Sequence, residues 1–143
     1  MFKFNCYFLD QDLDNAPSPE KYRDFFLKYD PDSWSSGAGD GVFDARFENG
    51  DVATLSVLEE HSLGISVRFN FRRSGERSSQ EYYSVGNHKE INNVDNVGDD
   101  QFLPIGSFLK PEQAWLAVED FFENPCEKSN RIEWMSSDEI EWE

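Results

Sequence analysis

The chain of 143 residues carries twenty-nine Asp and Glu against thirteen Lys and Arg, and its formal net charge at pH 7 is −16. Nucleic acids and anionic lipid surfaces repel a protein of this charge, so we expect it to bind neither directly. A positively charged partner is favoured instead, because opposite charges steer and hold an encounter. The length corresponds to one domain, whose core can be built from thirteen Phe, five Tyr and four Trp.

The sequence shows no signal for export or membrane insertion. No apolar run approaches the roughly 18–20 residues of a membrane-spanning helix. The first seven residues lack the apolar segment and cleavage site of a secretory signal. Cys6 and Cys126 lie at opposite ends of the chain without metal-ligand spacing. We therefore predict a cytoplasmic protein with two reduced cysteines, and a disulfide between them is the alternative.

No set of residues predicts a metal, a cofactor or a catalytic centre. Asp10, Asp12 and Asp14 have the spacing that opens a calcium loop, but Lys21 stands where that loop needs a bidentate Glu. Neither histidine has a Cys or another His at ligand spacing. We expect no enzyme activity. A small acid–base hydrolase remains an alternative, because some of the many carboxylates must lie close together.

A first helix is predicted between Ser18 and Asp30. Ser18 is a cap, proline follows at the first helical position, and aromatic residues then recur at helical spacing until Asp30-Pro31 ends the helix. The next segment, 34–41, is predicted to be a flexible glycine-rich loop. Trp34 in that loop is a candidate aromatic anchor for a partner, or it folds back onto the core.

From Val42 the apolar residues alternate with period two, which predicts strands. We predict a three-residue turn over 48–50, with Gly50 in the left-handed conformation of a bulge. This turn pairs Phe43 with Leu55 and Ala45 with Ala53, and it keeps both apolar sets on one face.

Two further strands are predicted at 63–71 and 81–85, where apolar residues again alternate with polar ones. The polar residues of the first of these strands are expected to face solvent or a groove. The one local basic cluster lies here and is expected to balance carboxylates across the sheet, with phosphate binding as the alternative. Its members are Arg68, Arg72, Arg73 and Arg77.

Residues 86–101 are predicted to form a long acidic loop. Pro111-Glu112 opens a second amphipathic helix, which Asn124-Pro125 ends, and 132–134 form a last short strand. These elements predict an α+β domain over 1–135, in which an antiparallel sheet of about five to six strands packs against an N-terminal and a C-terminal helix. Residues 136–143 are predicted to be an acidic tail.

The candidate partner contacts are the acids that we expect at strand ends and in the long loop, together with the tryptophan of the glycine-rich loop. They are Trp34, Glu59, Glu60, Asp95, Asp99 and Asp100.

The segment 103–134 resembles the closing signature of the Imm1 family of immunity proteins. The likeness consists of a helix opened by Pro111 and Glu112 with Ala114 in its first turn, aromatic residues near its end, and an Ile-x-Trp strand that ends at Trp134. The strands upstream, from about residue 40, are similar to the family pattern as well. The residues before 40 and the tail show no likeness.

This resemblance implies an α+β fold and an immunity protein that binds and neutralises a bacterial toxin, usually a nucleic-acid deaminase. Such a toxin binds an anionic polymer, so a basic working surface is expected on it, which fits an acidic inhibitor that blocks substrate access. We expect a monomer that forms a 1:1 complex with its toxin. The alternatives are an acidic DNA mimic with several partners and a general protein-interaction module.

Overall fold

In the described part of the chain, a seven-stranded antiparallel sheet packs with three helices and a two-stranded sheet, so the predicted α+β class is confirmed. The computed structural model describes residues 2–9, 13–34, 39–60, 62–97 and 101–142. The helices are α1 (Pro19–Leu27), α2 (Pro31–Trp34) and α3 (Pro111–Glu123). The strands are β1 (Phe2–Phe8), β2 (Asp40–Phe47), β3 (Val52–Glu60), β4 (Gly64–Arg72), β5 (Gln80–Ser84), β6 (Val94–Asn96), β7 (Phe102–Pro104), β8 (Phe108–Leu109) and β9 (Trp134–Ser136).

The strand order of the large sheet is β1-β2-β3-β4-β5-β9, with β8 also paired to β4, and β6 and β7 form a separate two-stranded sheet. The two longer helices lie where the sequence predicts them. Each has proline in its first turn, where the missing N–H would have no partner in the helix. The last strand, predicted at 132–134, lies two residues later.

The β2–β3 hairpin has the predicted register. Phe43 lies opposite Leu55 and Ala45 opposite Ala53, and Gly50 has a φ of 96°. A left-handed glycine in a three-residue turn adds one residue on a single side, which keeps Phe43 and Leu55 on the same face.

The core lies between the sheet and the helices α1, α2 and α3. Apolar side chains on alternate positions of the first four strands face the helices and are buried there, as period two requires. The helices also touch each other, and the rings of Phe26 and Trp115 lie 5.5 Å apart. The largest side chains that are almost completely buried are Trp34, Phe8, Phe26, Phe43 and Phe121.

A smaller layer covers part of the opposite sheet face. This second layer consists of β6, β7 and three short 3-10 turns, His88–Glu90, Ile105–Ser107 and Ser137–Glu139. It buries a cluster of its own over β5, which contains Tyr83, Val85, Ile91 and Ile140. The prediction of a long loop over 86–101 is therefore wrong for the described residues, because they form a turn and a strand of this layer.

The end of the chain also belongs to the second layer. Ser136 pairs with Tyr82 in the sheet, Ile140 is 5% exposed, and the amide of Glu141 donates to Asn92 Oδ1 at 3.0 Å. The predicted boundary between a domain and an acidic tail at residue 135 is therefore wrong, because residues 136–142 pack on the domain. Ser66, predicted to face solvent or a groove, is buried under the same layer and shares a 2.7 Å hydrogen bond with Ser107.

Candidate partner-binding surface

Trp34 lies in the core rather than on the surface. Its side chain is 0% exposed, and its indole N–H donates to the carbonyl of Phe25 at 3.0 Å. The rings of Phe8 and Phe26 lie 5.1 and 5.3 Å from it. The prediction that Trp34 anchors a partner is therefore wrong for this structure, and the alternative, a side chain folded onto the core, is the one observed.

Glu59 and Glu60 end β3 beside the last residues of the α1 segment. The hydroxyl of Tyr29 donates a hydrogen bond to Glu59. Partial burial and then this hydrogen bond raise the pKa of Tyr29 above its usual value, and the charges of Glu60 and Asp30 act in the same direction. Glu59 is therefore hydrogen-bonded to Tyr29, and Glu60 and Asp30 lie close enough to act on the same phenol.

Two further acids join them. The amide of Asp32 donates to Asp30 Oδ1 at 3.0 Å. Asp40 opens β2 opposite Leu58, next to Gly39, whose carbonyl accepts from the amide of Glu59 at 2.8 Å. We call these carboxylates the acidic corner. Its members are Asp30, Asp32, Asp40, Glu59 and Glu60.

The β6–β7 hairpin reaches toward the same end of the sheet. Asp95 is exposed on β6. The amide of Val97 donates to the carbonyl of Gln101 at 2.8 Å across the hairpin, and Gln101 lines a cavity of about 90 Å³ together with Asp40. Asp99 and Asp100, the other predicted contacts in this segment, lie outside the described residues.

Other acids are engaged within the protein. Arg131 donates to Asp120 Oδ1 at 2.6 Å and to Glu119 at 2.9 Å, and it thereby ties the segment before β9 to α3. Partial burial works to raise the pKa of Asp120, but hydrogen bonds from Arg131 and Ser129 outweigh it and lower this pKa. Asp120 and Glu119 therefore stabilise the folded structure.

Within the described residues, the sheet face away from the helices is uncovered over most of β1, β2 and β3 and at Arg72, the last residue of β4, and we call this part the open face. Cross-strand pairing arranges its side chains in rows. Lys3 pairs with Arg46, Arg46 with Val52, and Val52 with Arg72, which places three bases in one row. We call Lys3, Arg46 and Arg72 the basic row. No pattern in the sequence indicates this row, because its members are widely separated in the chain.

Between the basic row and Asp40 the open face has a polar row and a second row, in which Tyr7 and Val42 are followed by Ser56. Asn5, Asp44 and Thr54 form the first of these, and Thr54 donates to Asp44 at 3.1 Å. Tyr7 and Val42 belong to the second, and Tyr7 is 57% exposed. A groove of about 390 Å³ beside Tyr7 meets the small cavity at Val42.

The predicted basic cluster is divided by the fold. Arg68 is half-buried beside Tyr83, its partner on β5. Burial raises the pKa of Tyr83, and the hydrogen bond from Arg68 partly opposes this rise. Arg72 belongs to the basic row, and the two remaining arginines are exposed around the β4–β5 turn.

Three other features of the described residues bear on function: possible metal ligands, the cysteines and the helices. No group of three or more His, Cys, Asp or Glu within the described ranges is placed to hold a metal ion. Both cysteines are free, with Cys6 buried and Cys126 exposed. None of the helices in the described part of the chain is long and apolar enough to cross a bilayer.

Comparison with known proteins adds no relative. No protein-family model matches the chain, and no curated protein or solved structure matches it. The resemblance to the Imm1 family rests on the residues quoted above.

Proposed function

We propose that this chain is an immunity protein that binds a basic, nucleic-acid-acting toxin domain and blocks access of the substrate. The observation that carries the proposal is the acidic corner, where Glu59, Glu60 and Asp30 lie near Tyr29. The net charge of −16 adds long-range attraction for a cationic surface. The resemblance over 103–134 supports the same class of protein.

The mechanism requires no covalent step. A toxin that acts on nucleic acid needs a cationic cleft, and the carboxylates of the corner occupy the positions that phosphates would otherwise take. Opposite fields accelerate the encounter, and the complex forms as a 1:1 heterodimer in the cytoplasm. Because this acceleration decays within a Debye length, association should slow as salt is added.

The test uses the toxin domain encoded by the gene adjacent to this one as the binding probe. Asp40→Asn, Glu59→Gln and Glu60→Gln together should lower the association rate constant about tenfold at low salt. The matched control neutralises three exposed acids elsewhere, by Glu76→Gln, Glu123→Gln and Glu127→Gln. Thermal unfolding of both triple variants verifies that they are folded.

Failure of the wild-type protein to bind that toxin domain would overturn the proposal. Equal effects of the two triple variants would remove the acidic corner and leave only a general charge effect. A further variant, neutralised at Asp95, Asp99 and Asp100, tests the hairpin in the same assay. Equally tight binding to unrelated nucleic-acid-binding proteins would favour the DNA-mimic alternative.

A further inference from the structure

The open face carries opposite charges at its two ends. The basic row lies at one end, and Asp40 of the acidic corner lies at the other. Arg46 and Asp40 are six residues apart on β2, so about 20 Å separate the two charged ends. In a protein of charge −16, the end of the face that carries three bases in one cross-strand row is a local reversal of sign.

The bases of this row are available to a partner. All three are exposed. Arg46 forms an ion pair with Asp44 at 2.9 Å, whereas Lys3 and Arg72 form no ion pair with any of the residues that the structure describes. The described residues therefore leave the positive charges of Lys3 and Arg72 without an ion-pair partner.

The centre of the open face has the properties of a contact surface. Tyr7 is exposed beside the groove that Leu13 and Val42 also line. Tyrosine is enriched among the residues that dominate binding energy. The amide oxygen of Asn5, which lines the same groove, is buried, and none of the described residues donates to it. A donor from outside would satisfy this oxygen.

A second copy of the chain does not fit this face. Only a two-fold axis that runs across the strands brings the basic row of one copy onto the acidic end of the other. This rotation places each strand opposite the same strand of the second copy. It therefore places the second layer of one copy against that of its partner, and these layers hold the two open faces apart. Repulsion between two molecules of charge −16 acts in the same direction.

A uniformly charged ligand does not fit either. A polyanion bound to the basic row would be repelled by Asp40 about 20 Å away. A uniformly basic cleft bound to Asp40 would be repelled by the basic row at the same distance. Both ends are satisfied together only by a surface whose own charges alternate at that spacing.

We propose that the toxin domain lies along the open face, with a basic patch against Asp40 and a carboxylate-bearing patch, about 20 Å away, against the basic row. Tyr7 is the apolar contact between them. This inference rests on the proposed function and adds the chemistry of the partner. The basic row then contributes to binding specificity, because it repels basic surfaces that lack the acidic patch.

The decisive variant reverses charge in the basic row. Lys3→Glu combined with Arg72→Glu makes the net charge of the protein more negative by four. If binding depended on net charge alone, this variant would bind a basic toxin more tightly. Our proposal expects the opposite, about tenfold weaker binding of the adjacent-gene toxin domain. The matched control, Arg23→Glu combined with Arg77→Glu, changes the charge equally at exposed sites outside the open face.

Poly-lysine, a uniform cation, serves as the second probe. The Lys3 and Arg72 double variant should bind it at least as tightly as the wild-type protein does, although it binds the toxin domain less tightly. Tyr7→Ser should raise the dissociation rate constant of the toxin complex about tenfold. Hydrogen exchange in the complex should slow at residues 5–7 and 42–44.

The outcomes separate the two proposals. Wild-type binding with unchanged or tighter binding of the double variant overturns the open-face proposal and leaves the immunity function standing. The same holds if hydrogen exchange slows only at the acidic corner. If the wild-type protein does not bind the toxin domain at all, both proposals fail.

Discussion

The hydroxyl of Tyr29 donates a hydrogen bond to the carboxylate of Glu59 and so connects the residues after α1 to the end of β3. Tyr29 lies near several carboxylates, whose negative charges repel one another. Its phenol stays protonated there, because burial and the neighbouring acids raise its pKa. A neutral donor therefore supports Glu59 within the acidic corner.

We expect Tyr29→Phe to lower the free energy of unfolding by about 1 kcal/mol, because Glu59 loses a partly buried donor. Urea unfolding followed by circular dichroism measures the change. Tyr7→Phe is the control, since the Tyr7 side chain is largely exposed and should change stability by less than about 0.5 kcal/mol. Equal effects of the two substitutions would contradict a supporting role for the Tyr29 hydroxyl.

The tryptophans at positions 34 and 142 should differ strongly in their contribution to stability. Trp34 is completely buried, so Trp34→Ala should cost about 3–5 kcal/mol of unfolding free energy, because it opens a cavity and frees the Phe25 carbonyl. Trp142 is 37% exposed and contacts Tyr83 with ring centres 5.3 Å apart. Trp142→Ala should cost about 1 kcal/mol.

Denaturant unfolding of the two variants checks this order. Should Trp34→Ala fail to fold, Trp34→Phe provides a milder change whose cost should still exceed that of Trp142→Ala. A smaller cost for Trp34→Phe would show that the side chain is not in the core.

The contact between Arg131 and Asp120 should make a contribution that depends on pH. Arg131→Met should lower the free energy of unfolding by about 1–2 kcal/mol at pH 7, because Asp120 loses a charged donor. The pKa of Asp120 is lowered in the folded protein. Its stabilising effect is therefore complete above its ordinary value of 3.8 and is lost as the pH falls through the lower folded value.

The difference in urea midpoint between the wild-type protein and Arg131→Met should accordingly shrink below pH 3.8. Arg23→Met, at an exposed position of α1, is the matched control and should have little effect at any pH. A gap that stays constant across the acid range would contradict the assignment to Asp120.

At high pH the region around Tyr22 should destabilise the fold. Burial, followed by the hydrogen bond with Cys6, raises the pKa of Tyr22, whose hydroxyl donates to Asp14 at 2.9 Å. Burial also raises the pKa of the Cys6 thiol to about 11. Both groups ionise at lower pH in the unfolded chain than in the folded protein, and the unfolded phenol does so at about 10.0. The free energy of unfolding therefore falls as the pH rises past the pKa values of the unfolded chain.

Urea unfolding between pH 8 and pH 10.5 measures this loss. Tyr22→Phe should be less stable at pH 8, because Asp14 loses a donor, but its stability should fall less steeply above pH 10. Parallel declines in the two proteins would assign the alkaline loss to other groups.

The amino-acid sequence is enough to predict local structure wherever one residue or one hydrophobic period sets the conformation. Proline in the first turn placed α1 and α3, because its ring fixes φ and its missing N–H has no partner there. Period two and the left-handed Gly50 determined the register of β2 against β3, since a slip of one residue would turn an apolar face to water. The acidity was equally plain from composition.

Tertiary structure alone decided the position of Trp34, because a single aromatic residue beside a glycine-rich segment has no periodicity to show which way it faces. It also decided that residues 136–142 cover the sheet and that Arg131 engages Asp120. The basic row depends on it most clearly. Lys3, Arg46 and Arg72 share one row only because three separate pairings align their strands, and such long-range pairing leaves no pattern within a short stretch of sequence.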